Sequence, residues 1–254
     1  MRYYLFFLCL GLLTARPVFA MNISSWKADG ASTRWQRTQT VNNLPGWAAG
    51  IAVGDLGNDG IDEIVFGAPS GQPPLVRVFR GDGSEIFSFS AFEKKMESGV
   101  NVAVADLDGD GVSEIIAATG AGVVGEIRIF DNRGKQKGQS IFPYSKNFFG
   151  GVDVVAGDIN GDGFSEIFSS PEFDRTPDIL ELRNDGKVLA QFNPFADMSG
   201  NAHIALGDFD GDGKPEILFI GHDRSRWDRV KYNLIARFSG EAPQAVPRLV
   251  WQFR

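Results

Sequence analysis

Four acidic nonapeptides dominate the chemistry that this chain of 254 residues offers. They begin at Asp55, Asp106, Asp158 and Asp208, at intervals of 51, 52 and 50 residues. In each copy, side chains that carry oxygen stand at positions 1, 5 and 9, a glycine stands at position 6, and three copies have a further oxygen at position 3. Oxygen ligands at alternate positions around a turn that needs glycine are typical of a calcium site. The sequence therefore predicts up to four bound Ca²⁺ ions.

Each predicted site takes side-chain ligands from positions 1, 3, 5 and 9 and the carbonyl oxygen of position 7. The first copy has Gly57 at position 3, so we expect weaker binding there, or a water molecule in place of the side chain. The predicted ligands are Asp55, Asp59, Ile61 and Glu63 in the first loop; Asp106, Asp108, Asp110, Val112 and Glu114 in the second; Asp158, Asn160, Asp162, Phe164 and Glu166 in the third; and Asp208, Asp210, Asp212, Lys214 and Glu216 in the fourth.

An EF-hand is the obvious alternative, and the sequence excludes it. An EF-hand needs a bidentate acid at position 12 and two flanking helices, whereas position 12 is apolar or serine in every copy. Hairpin turns rich in Asp, Asn and Gly, without a metal, are a second interpretation. Short apolar runs such as 51–53 and 63–66 precede and follow each loop, and runs of this length bounded by glycine indicate strands. The predicted unit is strand, metal loop, strand.

A second repeat interleaves with the first. After each unit comes a segment such as 76–83, which alternates apolar and polar residues and then turns at glycine. Each period of about fifty residues thus holds four short strands, which we name a to d, and this is typical of a propeller blade. We predict an all-β fold, a small β-propeller of four or five blades in a closed ring; an open array that forms oligomers through its exposed strand edges is the alternative. The predicted boundaries are a c–d hairpin at about 21–46 and four full repeats at about 47–97, 98–148, 149–199 and 200–254.

These repeats resemble FG-GAP repeats, called VCBS repeats in bacterial secreted proteins, which form the calcium-binding blades of integrin alpha-chain propellers. The signature itself, Phe-Gly-Ala-Pro, stands at 66–69. The family's metal pattern, Asp-x-Asp-x-Asp-Gly-x-x-Asp/Glu, is complete in the second and fourth loops, has Asn160 in the third and departs at Gly57 in the first. The resemblance covers about 47–254 and implies calcium loops on one face with partners on the opposite face. It implies no particular ligand, because one blade type serves many functions.

The first 20 residues have the features of a signal peptide. Arg2 lies near the start, residues 3–13 form an apolar stretch, and small residues precede a cleavage site at Ala20. The apolar stretch is too short to span a bilayer, and no later stretch is long and apolar enough. We therefore expect a secreted, periplasmic or cell-surface protein, with an uncleaved anchor as the alternative. The sole cysteine, Cys9, lies in this leader, so the mature domain would rely on its core and on metal ions.

The charge of the chain is concentrated in the loops. The formal net charge is −7, and 14 of the 32 acidic residues stand at the predicted ligand positions, so the low isoelectric point is explained by metal binding. A local acidity of this kind gives no reason to expect a nucleic-acid partner.

The predicted ligand surface is the face formed by the b–c loops. Strand direction alternates, so these loops lie opposite the metal loops. The fourth b–c segment, 221–229, differs most from its counterparts and combines His222 and Trp227 with Arg224 and Arg226. An aromatic ring beside guanidinium groups suits a sugar ring or an acidic glycan. The alternative is a solvated loop whose tryptophan packs against a neighbouring blade.

The leading functional hypothesis is a secreted module that binds an extracellular glycan or protein, in which calcium is mainly structural. We expect no enzyme, because the sequence has no nucleophile elbow and no phosphate-binding loop before a helix. His203, at the start of an inner strand, is predicted to be a core or channel residue. Two alternatives stay open: a calcium-dependent polysaccharide lyase, which would need His222 as its base, and a structural or assembly fragment of a larger surface protein.

Overall fold

Strands and turns make up the structure throughout the part of the chain that can be described. The computed structural model describes residues 50–173, 178–193, 203–208 and 213–218, and the backbone of 4–7, 20–28, 35–45, 200–202, 219–223 and 230–235. These residues contain no helix, so the predicted all-β class is confirmed. In the same residues, no helix has the length and hydropathy needed to cross a bilayer.

The described strands form five antiparallel sheets. Three of these sheets have four strands and two have three. In chain order the strands are β1 Tyr4–Phe7, β2 Ala20–Ala28 and β3 Trp35–Pro45; β4 Gly50–Gly54, β5 Glu63–Gly67, β6 Leu75–Phe79 and β7 Glu85–Ser90; β8 Val100–Ala105, β9 Glu114–Thr119, β10 Ile127–Phe130 and β11 Gln136–Ile141; β12 Val152–Gly157, β13 Glu166–Pro171, β14 Ile179–Leu182 and β15 Val188–Phe192; and β16 Gly200–Gly207, β17 Glu216–Asp223 and β18 Val230–Ile235.

Every complete sheet is a meander in which sequence neighbours pair. The strands β4 to β7 are hydrogen-bonded in chain order, as are β8 to β11 and β12 to β15. Strands a to d of the predicted repeat correspond to these four positions, and β16 to β18 supply the first three positions of the next repeat. The strand–loop–strand repeat is therefore confirmed.

The hydrophobic core lies between successive sheets. Val78 and Val102 are buried in the cluster between the first and second meanders, and Ile116 and Val154 in the cluster between the second and third. A smaller cluster around Phe168 joins the third meander to the sheet that begins at β16. Face-to-face packing of short meanders is the blade arrangement of a propeller.

The first strand of each meander, which we call its inner strand, packs against the inner strand of the next, so that the sheets form an array. The strand β4 packs on β8, β8 on β12 and β12 on β16. Within the described strands, β16 makes no extensive contact with β4, so the array is open there and the predicted ring closure is not seen.

The glycine of the Phe-Gly-Ala-Pro signature is explained by this packing. A Cβ atom on Gly67 would lie 1.9 Å from the carbonyl oxygen of Val100, the first residue of β8. Such a distance is far inside van der Waals contact, so only glycine lets the second strand of one meander approach the inner strand of the next.

The fourth repeat differs from its prediction. The strand β17 continues to Asp223, and His222 pairs in register with Val230 of β18. The predicted b–c loop at 221–229 is therefore wrong over its first three residues, and the third strand begins at Val230. Continuous pairing of β17 with β18 extends the hairpin beyond the length seen in the other repeats.

Candidate metal sites

Each acidic nonapeptide connects the first two strands of a meander. The residue at position 1 directly follows the inner strand, and the glutamate at position 9 is the first residue of the next strand. Antiparallel pairing places Ala105 opposite Glu114 and Gly157 opposite Glu166, so positions 1 and 9 meet at the base of the loop. The two ends of the loop therefore carry the two outermost predicted ligands.

The carboxylate at position 1 folds the loop around itself. Asp106 accepts hydrogen bonds from the N–H groups of Gly109 and Gly111, at 2.7 and 2.8 Å. The same carboxylate-to-glycine bond at position 6 recurs in the other loops, from Gly60, Gly163 and Gly213, at 2.7, 2.9 and 3.1 Å. The φ angle of Gly111 is +85°, in the region that glycine adopts without strain. Aspartate and glycine at these positions thus determine the shape of the loop.

Two further bonds orient the other ligands. The position 5 carboxylate accepts from the N–H of position 7, as in Asp110 with Val112 at 2.8 Å. The position 9 glutamate accepts from the N–H of position 2, as in Glu114 with Leu107 at 2.9 Å. Both bonds recur in the first and third loops. These bonds hold the carboxylates of positions 5 and 9 against the backbone of the loop.

Among the described residues, the second loop brings three carboxylates close together. Asp106, Asp108 and Glu114 each offer an oxygen, and these three atoms lie within 4.8 Å of one another. That spacing and the all-oxygen donor set fit a hard cation such as Ca²⁺. Asp110 and Val112 belong to the same loop but are not part of this group, so their place in the ligand set stays a prediction.

The third and fourth loops have the same framework with differences. In the third, Asn160 donates its side-chain amide to Glu166 Oε1 at 3.0 Å, so positions 3 and 9 are in contact. In the fourth, Asp208 and buried Glu216 stand at the two ends, while Asp210 and Asp212 lie outside the described residues. Lys214 donates its ammonium to the carbonyl oxygen of Asn160, so its side chain reaches the third loop.

Burial makes the position 9 glutamates costly to ionise. The pKa of Glu166 is raised to about 7, first by desolvation and then by the nearby carboxylates of Asp162, Glu181 and Asp158. Desolvation also raises the pKa of Glu114 and that of Glu63. A buried carboxylate beside other carboxylates is stabilised in its ionised form by a bound cation.

The first loop keeps this geometry despite Gly57. The N–H of Gly60 and other loop N–H groups lower the pKa of Asp55, whereas burial raises that of Asp62. Asn58 at position 4 has a φ angle of +52°, where the second and third loops have glycine. The carboxylates at positions 1, 5 and 9 of the first loop therefore make the same backbone hydrogen bonds as in the second loop, while position 3 has no side chain to offer.

Lys137 contacts two of the predicted metal ligands and was not singled out from the sequence. Its ammonium lies 2.6 Å from Asp108 Oδ2 and 2.8 Å from Glu114 Oε1, which raises the pKa of this lysine. The side chain comes from β11, the outer strand of the same meander, and places a positive charge beside two predicted metal ligands. At the equivalent position, 31 residues after the first aspartate, the first and third repeats have Ile86 and Leu189. A charged residue among apolar counterparts was the signal that could have identified it.

Of the four residues of the fourth repeat that are predicted to bind a glycan or protein, the described part of the chain includes His222. His222 lies in β17, opposite Asn201 of β16 and Val230 of β18. Arg224, Arg226 and Trp227 lie outside the described residues.

Three overlapping stretches, residues 58–117, 106–169 and 158–219, match the model of the FG-GAP-like repeat family. The chain belongs to this family. The FG-GAP match includes all but the start of the first metal loop and the whole of the other three, which agrees with the resemblance seen in the sequence.

The chain is also similar to one named protein and to several solved structures. The chain is 28% identical to integrin alpha-V of Gallus gallus over 136 residues, which cover 47% of this chain and 13% of that protein. A protein of unknown function from Bacteroides caccae has the same fold, with a TM-score of 0.51 and 14% identity over 90% of this chain and 68% of that one. The V. cholerae biofilm matrix protein Bap1 is more distant, with a TM-score of 0.39 and 22% identity over 75% of this chain and 38% of that one. The exotype rhamnogalacturonan lyase YesX has a TM-score of 0.43 and 17% identity over 81% of this chain and 47% of that one.

The FG-GAP repeats and the integrin similarity support an adhesion-type β-propeller module. The chain spans about an eighth of the length of its integrin relative.

Proposed function

We propose that this FG-GAP protein is an extracellular binding module whose a–b loops bind calcium and whose opposite face binds a glycan or protein. The observation that carries the metal assignment is the convergence of Asp106, Asp108 and Glu114 within 4.8 Å, with an ammonium beside two of them. Calcium would replace that ammonium and take oxygens from Asp110 and Val112 as well.

The proposed role of calcium is structural, because the first and second loops also contact the next meander. The N–H of Ser113 donates to the carbonyl oxygen of Asp55 at 3.2 Å, and that of Ser165 donates to the carbonyl oxygen of Asp106 at 2.9 Å. Asn132 donates to the carbonyl oxygen of Leu56 at 2.9 Å across the same boundary. A cation that fixes one loop would therefore also fix its junction with the following meander.

The expected energetic effect is large compared with the stability of a domain. Extracellular modules bind Ca²⁺ with a dissociation constant of roughly 0.1–1 mM. At about 1 mM calcium and a constant of about 0.1 mM, each occupied site adds roughly 1.4 kcal/mol to the free energy of unfolding. Four such sites would add about 6 kcal/mol, which is comparable to the whole stability of many domains.

Limited proteolysis of the full chain tests the structural role. In calcium we expect slow cleavage, and in EGTA rapid cleavage within the nonapeptides. Asp106→Asn should expose the second loop in calcium, while Glu93→Gln, a change at an exposed glutamate outside the loops, should behave as the wild type. Equal cleavage rates with and without calcium would contradict the proposal.

The binding role and the absence of enzymatic activity need separate assays. Screening of glycans and extracellular proteins in calcium should identify a ligand that is bound and left intact. Release of unsaturated sugars from a polysaccharide, abolished by His222→Ala, would instead support the lyase alternative.

A further inference from the structure

The inner strands line an open-sided channel of about 610 Å³ that lies apart from the acidic loops. It is lined by β4, β8, β12 and β16, together with Glu172, which follows β13. One position faces this channel in all four repeats, five residues before the first loop aspartate, and it is occupied by Gly50, Asn101, Asp153 and His203. That position lies at the start of each inner strand, whereas the metal loop follows its end. His203 is thus a channel residue, as predicted.

The remaining walls of the channel are aliphatic. They come from the following residues of the inner strands, among them Val53, Val104, Val155 and Leu206. A cavity of a few hundred cubic ångströms with apolar walls and a few convergent polar groups is the usual form of a small-molecule site.

The polar groups at the mouth are held in fixed positions. Asn101 donates its side-chain amide to Glu172 Oε1 at 2.6 Å and to the carbonyl oxygen of Val152 at 2.8 Å. His203 Nδ1 lies 3.4 Å from Asp153 Oδ2. A Cβ atom on Gly151 would lie 2.2 Å from Glu172 Oε2, so glycine at that position makes room for the carboxylate.

Two carboxylates face one imidazole at this mouth, and the hydrogen bond to Asp153 raises the pKa of that imidazole, His203, so acidic groups outnumber basic ones there. Asp153 and Glu172 line the channel, and the described lining contains no lysine or arginine. Burial raises the pKa of Glu172, and the charge of Asp153 raises it further, so a cation placed between them would favour ionisation of both.

We propose that the channel binds a small organic cation with an aliphatic body, of the class of primary alkylamines. The ammonium group would lie beside Asp153 and Glu172, and the alkyl chain would run along the valine and leucine walls. This site is separate from the acidic loops and goes beyond the proposed function, because it does not require a glycan or protein ligand.

The proposal is tested by titrating the full chain with n-pentylammonium in a buffer that contains calcium and monitoring the backbone amide resonances by NMR. Calcium keeps the amine out of the acidic loops. We expect saturable shifts confined to the inner-strand amides around Ala103 and Val155, at least tenfold tighter binding than for pentan-1-ol, and about tenfold weaker binding for n-propylammonium, which lacks two methylenes. Asp153→Asn and Glu172→Gln should each weaken binding about tenfold, and Glu93→Gln should leave it unchanged.

Three results would overturn the channel site. They are the absence of saturable shifts at about 10 mM amine, equal affinity for pentan-1-ol and pentylammonium, or shifts confined to the nonapeptides. The comparison of amine with alcohol uses the wild type, so it holds even if a variant fails to fold. A failure here would leave the calcium-dependent proteolysis unaffected, and the reverse also holds.

Discussion

Replacing Lys137 by methionine should strengthen calcium binding in the second loop. The lysine ammonium lies 2.6 Å from Asp108 Oδ2 and 2.8 Å from Glu114 Oε1, so a calcium ion must displace it before it reaches both ligands. Methionine keeps the length and apolar character of the side chain in β11 and removes the charge.

The expected gain in calcium affinity is estimated from the two ion pairs that Lys137 forms. The Asp108 carboxylate is 37% exposed and the lysine side chain 40%, so that pair contributes roughly 0.2–1 kcal/mol after solvent screening. Glu114 is only 4% exposed in its side chain, and its bond to the lysine contributes roughly a further 1 kcal/mol. Loss of both corresponds to about 1–2 kcal/mol, which is about a 5- to 30-fold lower dissociation constant for calcium in this loop.

The Gly111 amide resonance gives a readout specific to the second loop, because its N–H bonds to Asp106. Calcium titrations of the wild type, Lys137→Met and Lys135→Met would be compared. The Lys135 control lies in the same hairpin, and its backbone N–H bonds to Asp131. We expect tighter binding for Lys137→Met alone. Unchanged or weaker binding in that variant would show that the ammonium does not compete with the metal, and would refute this reasoning.

Three further predictions address the pH dependence and the junctions between meanders. Calcium binding at the third loop, monitored through the Gly163 amide resonance, should be about tenfold weaker at pH 6 than at pH 8. The reason is that Glu166, whose pKa is about 7, must lose its proton before calcium binds. A calcium affinity that does not change with pH would contradict this. The calcium-free protein should also lose stability as the pH rises from about 4.5 through 7, because the folded state holds the proton of Glu166 more tightly than the unfolded chain does. Urea unfolding that shows rising stability over that pH range would contradict this prediction. Gly67→Ala should lower the free energy of unfolding by about 2 kcal/mol or more, because the new Cβ would overlap the carbonyl oxygen of Val100. In the control Gly81→Ala the new Cβ meets open space, so the free energy of unfolding should change by less than about 0.5 kcal/mol. Equal effects of the two substitutions would reject the steric argument.

The shape of the acidic loops was predictable because its determinants are local. The aspartate at position 1, the glycine at position 6 and the glutamate at position 9 lie within nine residues, and hydrogen bonds inside that span shape the loop. The strands on both sides followed from short apolar runs, and the pairing of Gly54 with Glu63 follows once the loop is a hairpin.

Features that depend on distant parts of the chain were not predictable in the same way. Lys137 reaches Asp108 from 29 residues away, and only the folded meander brings them together. The channel mouth carries a different residue type in each repeat, so the repeat pattern conceals it. The extension of β17 to Asp223 depends on pairing with β18, whose register no local signal specifies.

The thermal melt of the full chain in about 1 mM Ca²⁺ and in EGTA tests the central claim most directly. It should be compared with a variant in which Asp55, Asp106, Asp158 and Asp208 are all asparagine. We expect calcium to raise the midpoint strongly in the wild type, by an amount that depends on calcium concentration, and hardly at all in the variant. A wild-type midpoint that is the same in calcium and in EGTA would contradict the claim that these four loops bind calcium to stabilise the fold.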